Sequence, residues 1–506
     1  PPLVGEEAVT HPRIPMLSKS RFLAGLQCHL RLWHQCYNPT LAAEVSPVQQ
    51  ALFDTGHEVG RLATELYPGG ARIEEDHLHH EEAVKSTAAA MQDPNVSALY
   101  EAAFVQDGVR VRVDILERAG RGTWNLIEVK SSTSVKDVHL PDVAVQHHVL
   151  KKSGLGVDRV GILHLDGGYV YDGRYLELEK LFRFSDLTEE VKSMEAGISG
   201  KIQELQGVLA GGAPPEVQPS RHCESPYLCE LWEHCTAGTP EHWIMHLSGI
   251  TQRKLDELIA LGIKDIRDIP GAFRLTELQG RIRSCVVKGR EYLAPELEDE
   301  LKRVDYPIHF LDFETFMPAI PRYAGTRPYQ TIPFQWSDHT VYPDGTVNHS
   351  EYLCGEDKDP REEFARTLLE TSGEKGTIFV YTTYEVGIIR TLAEDLPSHR
   401  QRLLALPDRL SDLHAAIRRY FYHPEFRGSF SLKEVLPALL PEMGYENLAI
   451  QEGNMASLAY LRMLGPSTPE KEKEKIRGDL LAYCAHDTLA MVRIRQVLLR
   501  RSGLKT

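Results

Sequence analysis

The sequence predicts a mixed α/β protein of more than one domain. At 506 residues the chain is long enough for two or three separate hydrophobic cores. Short apolar or alternating runs recur between longer helical patterns along its length, as they do where helices cover mixed sheets. In two distant places a strand-like run delivers charged side chains two residues apart, Glu128 with Lys130 and Asp312 with Glu314. Each pair therefore points to one side of its strand, which is how sheets carry reactive groups at strand ends.

Composition narrows the class. With 42% hydrophobic and 25% charged residues the chain has enough apolar surface to fold and is not a disordered polymer. No run of about 18 apolar residues occurs, which excludes a conventional helical membrane span. The net charge of −15 argues against coating nucleic acid by bulk attraction, since phosphate binding rests on Lys and Arg. It leaves a nuclease open, because metal-binding acids add to the negative total and basic residues need line only one groove. Pro1 to Glu7 carries neither Met nor a basic-then-apolar signal, so it reads as a trimmed end and a cytoplasmic protein is expected.

Residues 17–37 have helical periodicity through Phe22, Leu26, Leu30 and Trp33, and contain Cys28 and Cys36. A second helical pattern, Val48 to Leu66, carries His57. Val109 to Leu116 alternates as a strand with Asp114 inside it, and after Gly120-Arg121-Gly122 the run Trp124 to Lys130 forms its hairpin partner. Two acids can hold Mg²⁺, and a lysine beside them can position water and offset phosphate charge. A helix with Gln146 follows. The set His57, Asp114, Glu128, Lys130 and Gln146 resembles the PD-(D/E)XK nucleases of the RecB type, over roughly residues 17–240. The resemblance implies a restriction-endonuclease-like fold in which Asp114 and Glu128 hold metal with His57, Lys130 positions water and Gln146 contacts substrate. The family's Tyr four residues after its Gln is Leu150 here, which loses a substrate contact and no ligand.

Residues 211–220 form a Gly- and Pro-rich loop leading to Cys223, Cys229 and Cys235. Grouped thiolates in a cytosolic chain point to zinc or an iron–sulfur cluster rather than to disulfides. In iron–sulfur members of the RecB type one cysteine precedes the nuclease core and three follow it. The resemblance thus implies a 4Fe–4S cluster on Cys28, Cys223, Cys229 and Cys235. Zinc on the same thiolates, or with His222 or His234, is the alternative, and Cys36 is the next choice for the fourth ligand. Cys285, Cys354 and Cys484 read as inert core thiols.

In residues 236–304 a Gly turn at Gly249, a helix with Lys254 and a second turn at Gly262 resemble a helix-hairpin-helix unit. Its backbone N–H groups can hold a DNA phosphate; a plain helical connector fits equally. The switch from basic Arg281 to Arg290 into acidic Glu296 to Glu300 reads as a solvated helix face.

The last part, 305–506, opens on a buried strand, Ile308 to Thr315. Buried like charges repel, so Asp312 and Glu314 call for a cation, and oxygen ligands suit Mg²⁺ or Mn²⁺ better than zinc. A second strand, Thr377 to Tyr381, precedes Glu385, and the helix Leu480 to Met491 sets Tyr483 and Asp487 one turn apart. This order resembles the DEDDy exonucleases, the RNase H-like group that includes the proofreading domain of polymerase I. Ser411 to His414 and Ser431 to Leu436 resemble the stretch between that group's second and third motifs. The resemblance implies an RNase H-like fold, divalent ions on Asp312, Glu314, Glu385 and Asp487, Tyr483 orienting water, and hydrolysis from a 3′ end. Threonines and Glu385 stand where the second motif has Asn and Asp. The loop Pro318 to Pro333, with Arg322 and Arg327, lines a single-strand channel or simply covers the sheet. The run Pro469 to Lys475 opens the final helix with a solvated face.

The expectation is therefore a RecB-like nuclease domain with four cysteines (1–235), a helical connector (236–304) and a DEDDy-like exonuclease domain (305–506). A bacterial nuclease family combines these parts. Single-stranded DNA is the expected substrate, with no membrane partner. The competing expectation is a nucleic-acid-binding scaffold, or a nuclease with one inactive site. If one site alone is live, the N-terminal set, which fits its pattern without substitution at a ligand, is the one expected.

Overall fold

The structure, a computed structural model, describes residues 14–503. The chain divides into two compact units: residues up to 46 with 52–169 and 175–238, and residues 47–51 and 170–174 with 239 onward. Both are mixed α/β with their own sheets. No helix among the described residues is long and apolar enough to cross a membrane.

In the first unit Val109, Val111, Val113 and Ile115 are buried while Arg110, Arg112 and Asp114 between them are only partly so. β-branched residues on every second position pack well against a pleated surface, so this run becomes a strand. Seven strands form the sheet among the described residues: β1 (Leu17–Ser18), β2 (Ala71–Arg72), β3 (Ala98–Gln106), β4 (Val109–Arg118), β5 (Trp124–Lys130), β6 (Val157–Leu165) and β7 (Phe182–Asp186). Their order is β2-β3-β4-β5-β6-β7, with β1 beside the start of β4. β4 and β5 are the expected hairpin, Ile115 opposite Ile127, and β5 runs parallel to β6. Their crossover is the helix His139–Lys152, whose Val143, Val145 and Val149 are buried. It carries Gln146 across the end of β5.

The single helix expected over 17–37 is two, Lys19–Gln27 and His29–Tyr37. Cys28 is extended (φ −161°, ψ 125°) and ends the first helix by donating its N–H to the Ala24 carbonyl. The second then turns Leu32 and Trp33 inward.

The second unit contains β8 (Tyr292–Leu293), β9 (Ile308–Phe316), β10 (Ile332–Val341), β11 (Val347–Leu353), β12 (Ile378–Val380), β13 (Leu410–Asp412) and β14 (Phe421–Tyr422). The main sheet is ordered β11-β10-β9-β12-β13. β9, β10 and β11 are antiparallel neighbours, whereas β12 and β13 run parallel to β9. Leu311 and Phe313 of β9 pack with Phe364, Leu368, Ile388 and Leu392 of the helices Arg361–Ser372 and Tyr384–Asp395. Asp312 and Glu314, on alternate positions, face the other side, where the helix Glu470–Arg501 lies.

The connector is part of this second unit. β8 pairs with β14, and Arg281 donates to the carbonyls of Arg418 and Arg419 while stacking over Tyr292. Arg495 likewise donates to the Leu301 carbonyl at 2.9 Å. Gly428 shows how closely the chains meet, since a Cβ there would fall 1.7 Å from the His246 carbonyl oxygen.

Candidate active sites

In the first unit the hairpin and its crossover helix bring Asp114, Glu128, Lys130 and Gln146 together. Lys130 Nζ donates to Glu128 Oε1 at 2.7 Å, and Gln146 Nε2 donates to Glu128 Oε2 at 2.8 Å. Asp114 Oδ2 accepts the Val129 N–H at 2.7 Å, which locks it across the hairpin. Two further residues belong here. Lys19 Nζ donates to Glu128 Oε1 at 2.8 Å, and Asp142 Oδ2 accepts from Lys130 at 2.5 Å. Asp142 lies one turn before Gln146 on the same helix face, a spacing visible in sequence; Lys19 is 109 residues from its partner and carries no local signal. His57 is not brought in: it is exposed on the helix Pro47–Thr64 and pairs with none of these residues. A lone polar histidine on a helix needs no ligand role to be stable.

Burial pushes the Asp114 carboxyl up to about 7, helped by the Glu128 charge and opposed by Lys19 and Lys130. Burial also works against ionised Glu128, yet the two lysines overcome it and hold that carboxyl below the usual range. Glu101, opposite Asp114 on β3, adds negative charge and sits at φ 59°. A non-glycine residue there stores about 1–3 kcal/mol of strain beside the site.

In the second unit Asp312 and Glu314 project from central β9. Glu385 is the second residue of the helix that follows β12, so parallel pairing of β12 with β9 brings it to the same ends of the strands. Tyr483, Cys484 and Asp487 come from the long C-terminal helix, anchored to the sheet by Gln335 donating to the Leu480 carbonyl at 2.8 Å. Cys484 Sγ lies 3.5 Å from Asp312 Oδ2, and atoms of Asp312, Glu314 and Cys484 lie within 4.8 Å of one another. Cys484 is thus a buried thiol, as expected, but one that lines the site; its place three residues before Asp487 signals the shared face. Tyr445 donates to Asp487 Oδ1, a contact sequence spacing does not reveal.

All four carboxyls are driven upward. Burial comes first in each case, followed by like charge for Asp312, from Asp487 and Glu385, and for Glu314, from Asp312 and Asp487. Glu385 is pushed up to about 8 by burial, with Asp412 adding to it, and Asp487 to about 6 by burial against the Tyr445 hydrogen bond and the Lys433 charge. Among the described residues none of the four forms an ion pair, and Glu385 Oε2 is buried without a partner. At separations near 4.8 Å two such charges repel by about 3 kcal/mol at an effective dielectric of about 20. An oxygen-rich, anionic, desolvated pocket with an orphaned acceptor fits hard divalent cations.

Residues 309–431 match a domain of unknown function (DUF2779). The matched segment holds Asp312, Glu314 and Glu385 and stops short of Tyr483 and Asp487. No curated protein matches the chain.

The four proposed cluster cysteines gather in the first unit. The thiols of Cys28, Cys223 and Cys235 sense one another's charge, as do those of Cys223 and Cys229, and burial raises the last three. Cys36 packs against the main core instead. Gln27 holds the cysteine loop by donating to the His222 and Tyr227 carbonyls at 2.7 and 2.8 Å, and Arg31 pairs with Glu230 at 2.8 Å. No three of these sulfurs come within 4.8 Å of one another, whereas tetrahedral zinc at about 2.3 Å from sulfur needs them about 3.8 Å apart.

The nucleic-acid candidates are less committed. Gly249 takes φ 67° at the turn before the helix Gln252–Ala260, and Lys254 donates to Gln279 at 3.4 Å. Arg322 pairs with Asp357 at 2.8 Å, and Arg327 is exposed.

Proposed function

We propose that the chain is a divalent-metal-dependent nuclease acting on single-stranded nucleic acid, with DNA the favoured substrate. The observation that carries this reading is the convergence of half-buried Asp312 with buried Glu314, Glu385 and Asp487, which have no basic partner in ion-pair contact among the described residues. Repelling charges so arranged are relieved by taking up protons or by a cation that joins them. The order of strands and acids supports an RNase H-like, DEDDy-type reading of the second unit, and the hairpin with its crossover helix supports a RecB-like PD-(D/E)XK reading of the first.

The four acids would hold the metal, which supplies Lewis acidity and a lowered water pKa when bound. Tyr483, four residues before Asp487 on the same helix, would orient the attacking water. Burial raises its phenol, so it stays protonated and donates. Tyr445 fixes the Asp487 carboxylate, and Lys433, whose charge reaches Glu314 and Asp487, would offset charge on a bound phosphate. The four cysteines would hold a 4Fe–4S cluster that ties the first helices to the 223–235 loop.

A second reading has one live site. Lys19 and Lys130 already neutralise Glu128, and His57 is absent from the set, which favours the C-terminal acids as that site rather than the N-terminal ones. Digestion of 5′- and 3′-labelled single-stranded DNA and matched RNA with Mg²⁺ or Mn²⁺ tests both. Loss of 3′–5′ products in Asp312→Ala, and of a different product set in Asp114→Ala, is expected of two nucleases. Products unchanged in Asp114→Ala indicate one live site. Intact DNA and RNA that the protein nevertheless binds would leave the scaffold in their place.

A further inference from the structure

Lys19 opens the helix Lys19–Gln27, and Ser18 caps that helix through the Arg21 N–H at 3.2 Å. The cap fixes where the helix begins and so where the lysine emerges. Its Nζ donates to Glu128 Oε1 at 2.8 Å and lies 3.6 Å from Asp142 Oδ1. Lys130 reaches the same Glu128 oxygen at 2.7 Å, and Gln146 takes the other at 2.8 Å. Glu128 is 2% exposed, so both of its oxygens are committed to donors inside the protein.

Two ammoniums thus stand against the carboxyls of Asp114, Glu128 and Asp142. Lys130 belongs to the Glu-x-Lys pattern; Lys19 does not. A divalent ion approaching Glu128 needs an oxygen that Lys19 holds. A second observation points the same way: Gln146 is fully buried, and its amide oxygen has no donor. The amide cannot turn to satisfy it without facing that oxygen toward Glu128 and Asp142. No three ligand atoms at this site lie within 4.8 Å, in contrast to the Asp312 site.

We propose that Lys19 is the resident cation of the N-terminal site: its ammonium occupies the place of a divalent ion against Glu128 and Asp142, and a metal binds there only by displacing it. The site is then stable without metal, and its metal affinity is set by competition with a tethered ammonium. Lys19 acts as a positioning residue for the carboxylates and never needs to touch substrate. The inference rests on the nuclease reading only in expecting metal here. It is tested by metal binding, so a protein that hydrolyses nothing still decides it.

The test uses the full chain with the other site silenced by Asp312→Asn and Asp487→Asn, which remove charges but keep shape. Mn²⁺ binding is measured by electron paramagnetic resonance for that parent, and with Lys19→Met or Lys19→Arg added. Lys19→Met should bind one Mn²⁺ at least tenfold more tightly than the parent, and Lys19→Arg should stay with the parent. Adding Glu128→Gln to Lys19→Met should abolish the gain. Unchanged affinity in Lys19→Met, or a gain that survives Glu128→Gln, overturns the proposal. Should Lys19→Met be unfolded in EDTA, Mn²⁺ should refold it; failure to refold while Lys19→Arg is native would make Lys19 a structural ion-pair partner and nothing more.

Discussion

Withdrawing divalent metal should make the second unit less stable as the pH rises, by an amount the acid cluster sets. Folding moves the carboxyls of Glu385 to about 8 and Asp487 to about 6, from about 4.3 and 3.9 in free side chains. Both folded values lie above the unfolded ones, so the native state holds protons that the unfolded chain releases. Stability is therefore lost as pH rises, from about 4 to 6 through Asp487 and from about 4 to 8 through Glu385. Each group costs about 1.4 kcal/mol per pH unit inside its window. Between pH 6.5 and 7.5 Glu385 alone removes a little over 1 kcal/mol by that slope, and Asp312 and Glu314, raised the same way, add to it. His139 and His339, lowered to about 4 by burial, work in the opposite sense, but their window closes near 6.5. Asp114, near 7, shares the sign of Glu385, and Asp114→Asn removes it. Thermal melts in EDTA across this range should fall by roughly 3–8 °C for a loss of about 1–2 kcal/mol. Saturating Mg²⁺, worth about 2.7 kcal/mol per ion at a hundredfold excess over Kd, should restore more at pH 7.5 than at 6.5, because protons compete with it. A flat metal-free profile, or an identical slope in Glu385→Gln, would refute the reasoning.

Three further outcomes follow from particular contacts. Glu128→Ala leaves Lys19 and Lys130 with Asp142 as their one direct ion-pair partner and Asp114 at longer range, and should destabilise the first unit by about 3 kcal/mol, read as a lowered melting temperature in EDTA. Anaerobically purified protein should carry about four irons per chain, with Cys223→Ser losing them; one equivalent of zinc and no iron would reverse that assignment. Gly428→Ala, at φ 77° and against the His246 carbonyl, should cost several kcal/mol, whereas Gly238→Ala, with open space around its Cβ position, should cost little by the same melts.

What the sequence conveyed was what near-neighbour spacing can convey. Asp312 with Glu314, Glu128 with Lys130, and Tyr483 with Asp487 are pairs whose geometry follows from the pleat or the helical turn, and each lies on the element its pattern predicted. The cysteine spacing likewise pointed to grouped thiols, and Cys28 lies close enough to Cys223 and Cys235 to sense their charge. The misses are long-range. Lys19 meets Glu128 and Tyr445 meets Asp487 through packing that no periodicity encodes, and Lys433 bears on Glu314 only because the helix Leu432–Leu439 is folded against the site. The connector's grouping with the second unit is long-range in the same way, since β8 finds its partner in β14 more than a hundred residues later.

The two sites use the same residue types toward opposite electrostatic ends. Around Glu128 each charge has an internal answer, so the carboxylate stays ionised and the fold is complete without help. Around Asp312 the acids meet one another, the Tyr445 hydroxyl and the Cys484 thiol, with Lys433 acting only through its charge and outside ion-pair reach, so the metal-free fold must either protonate them or carry their repulsion. A fold that keeps three such acids buried and Asp312 half-buried beside them tolerates a cost that substitution to Asn or Gln would lower, because neutral amides of the same shape lose the repulsion and keep the packing. That cost makes physical sense where the cation that offsets it is part of the working molecule. On this ground the proposed chemistry belongs first to Asp312, Glu314, Glu385 and Asp487, and Asp312→Asn should raise the metal-free melting temperature at pH 7.5 while abolishing the gain from Mg²⁺. A variant that loses stability in EDTA would instead make Asp312 a structural residue, and the acid cluster would no longer argue for a metal.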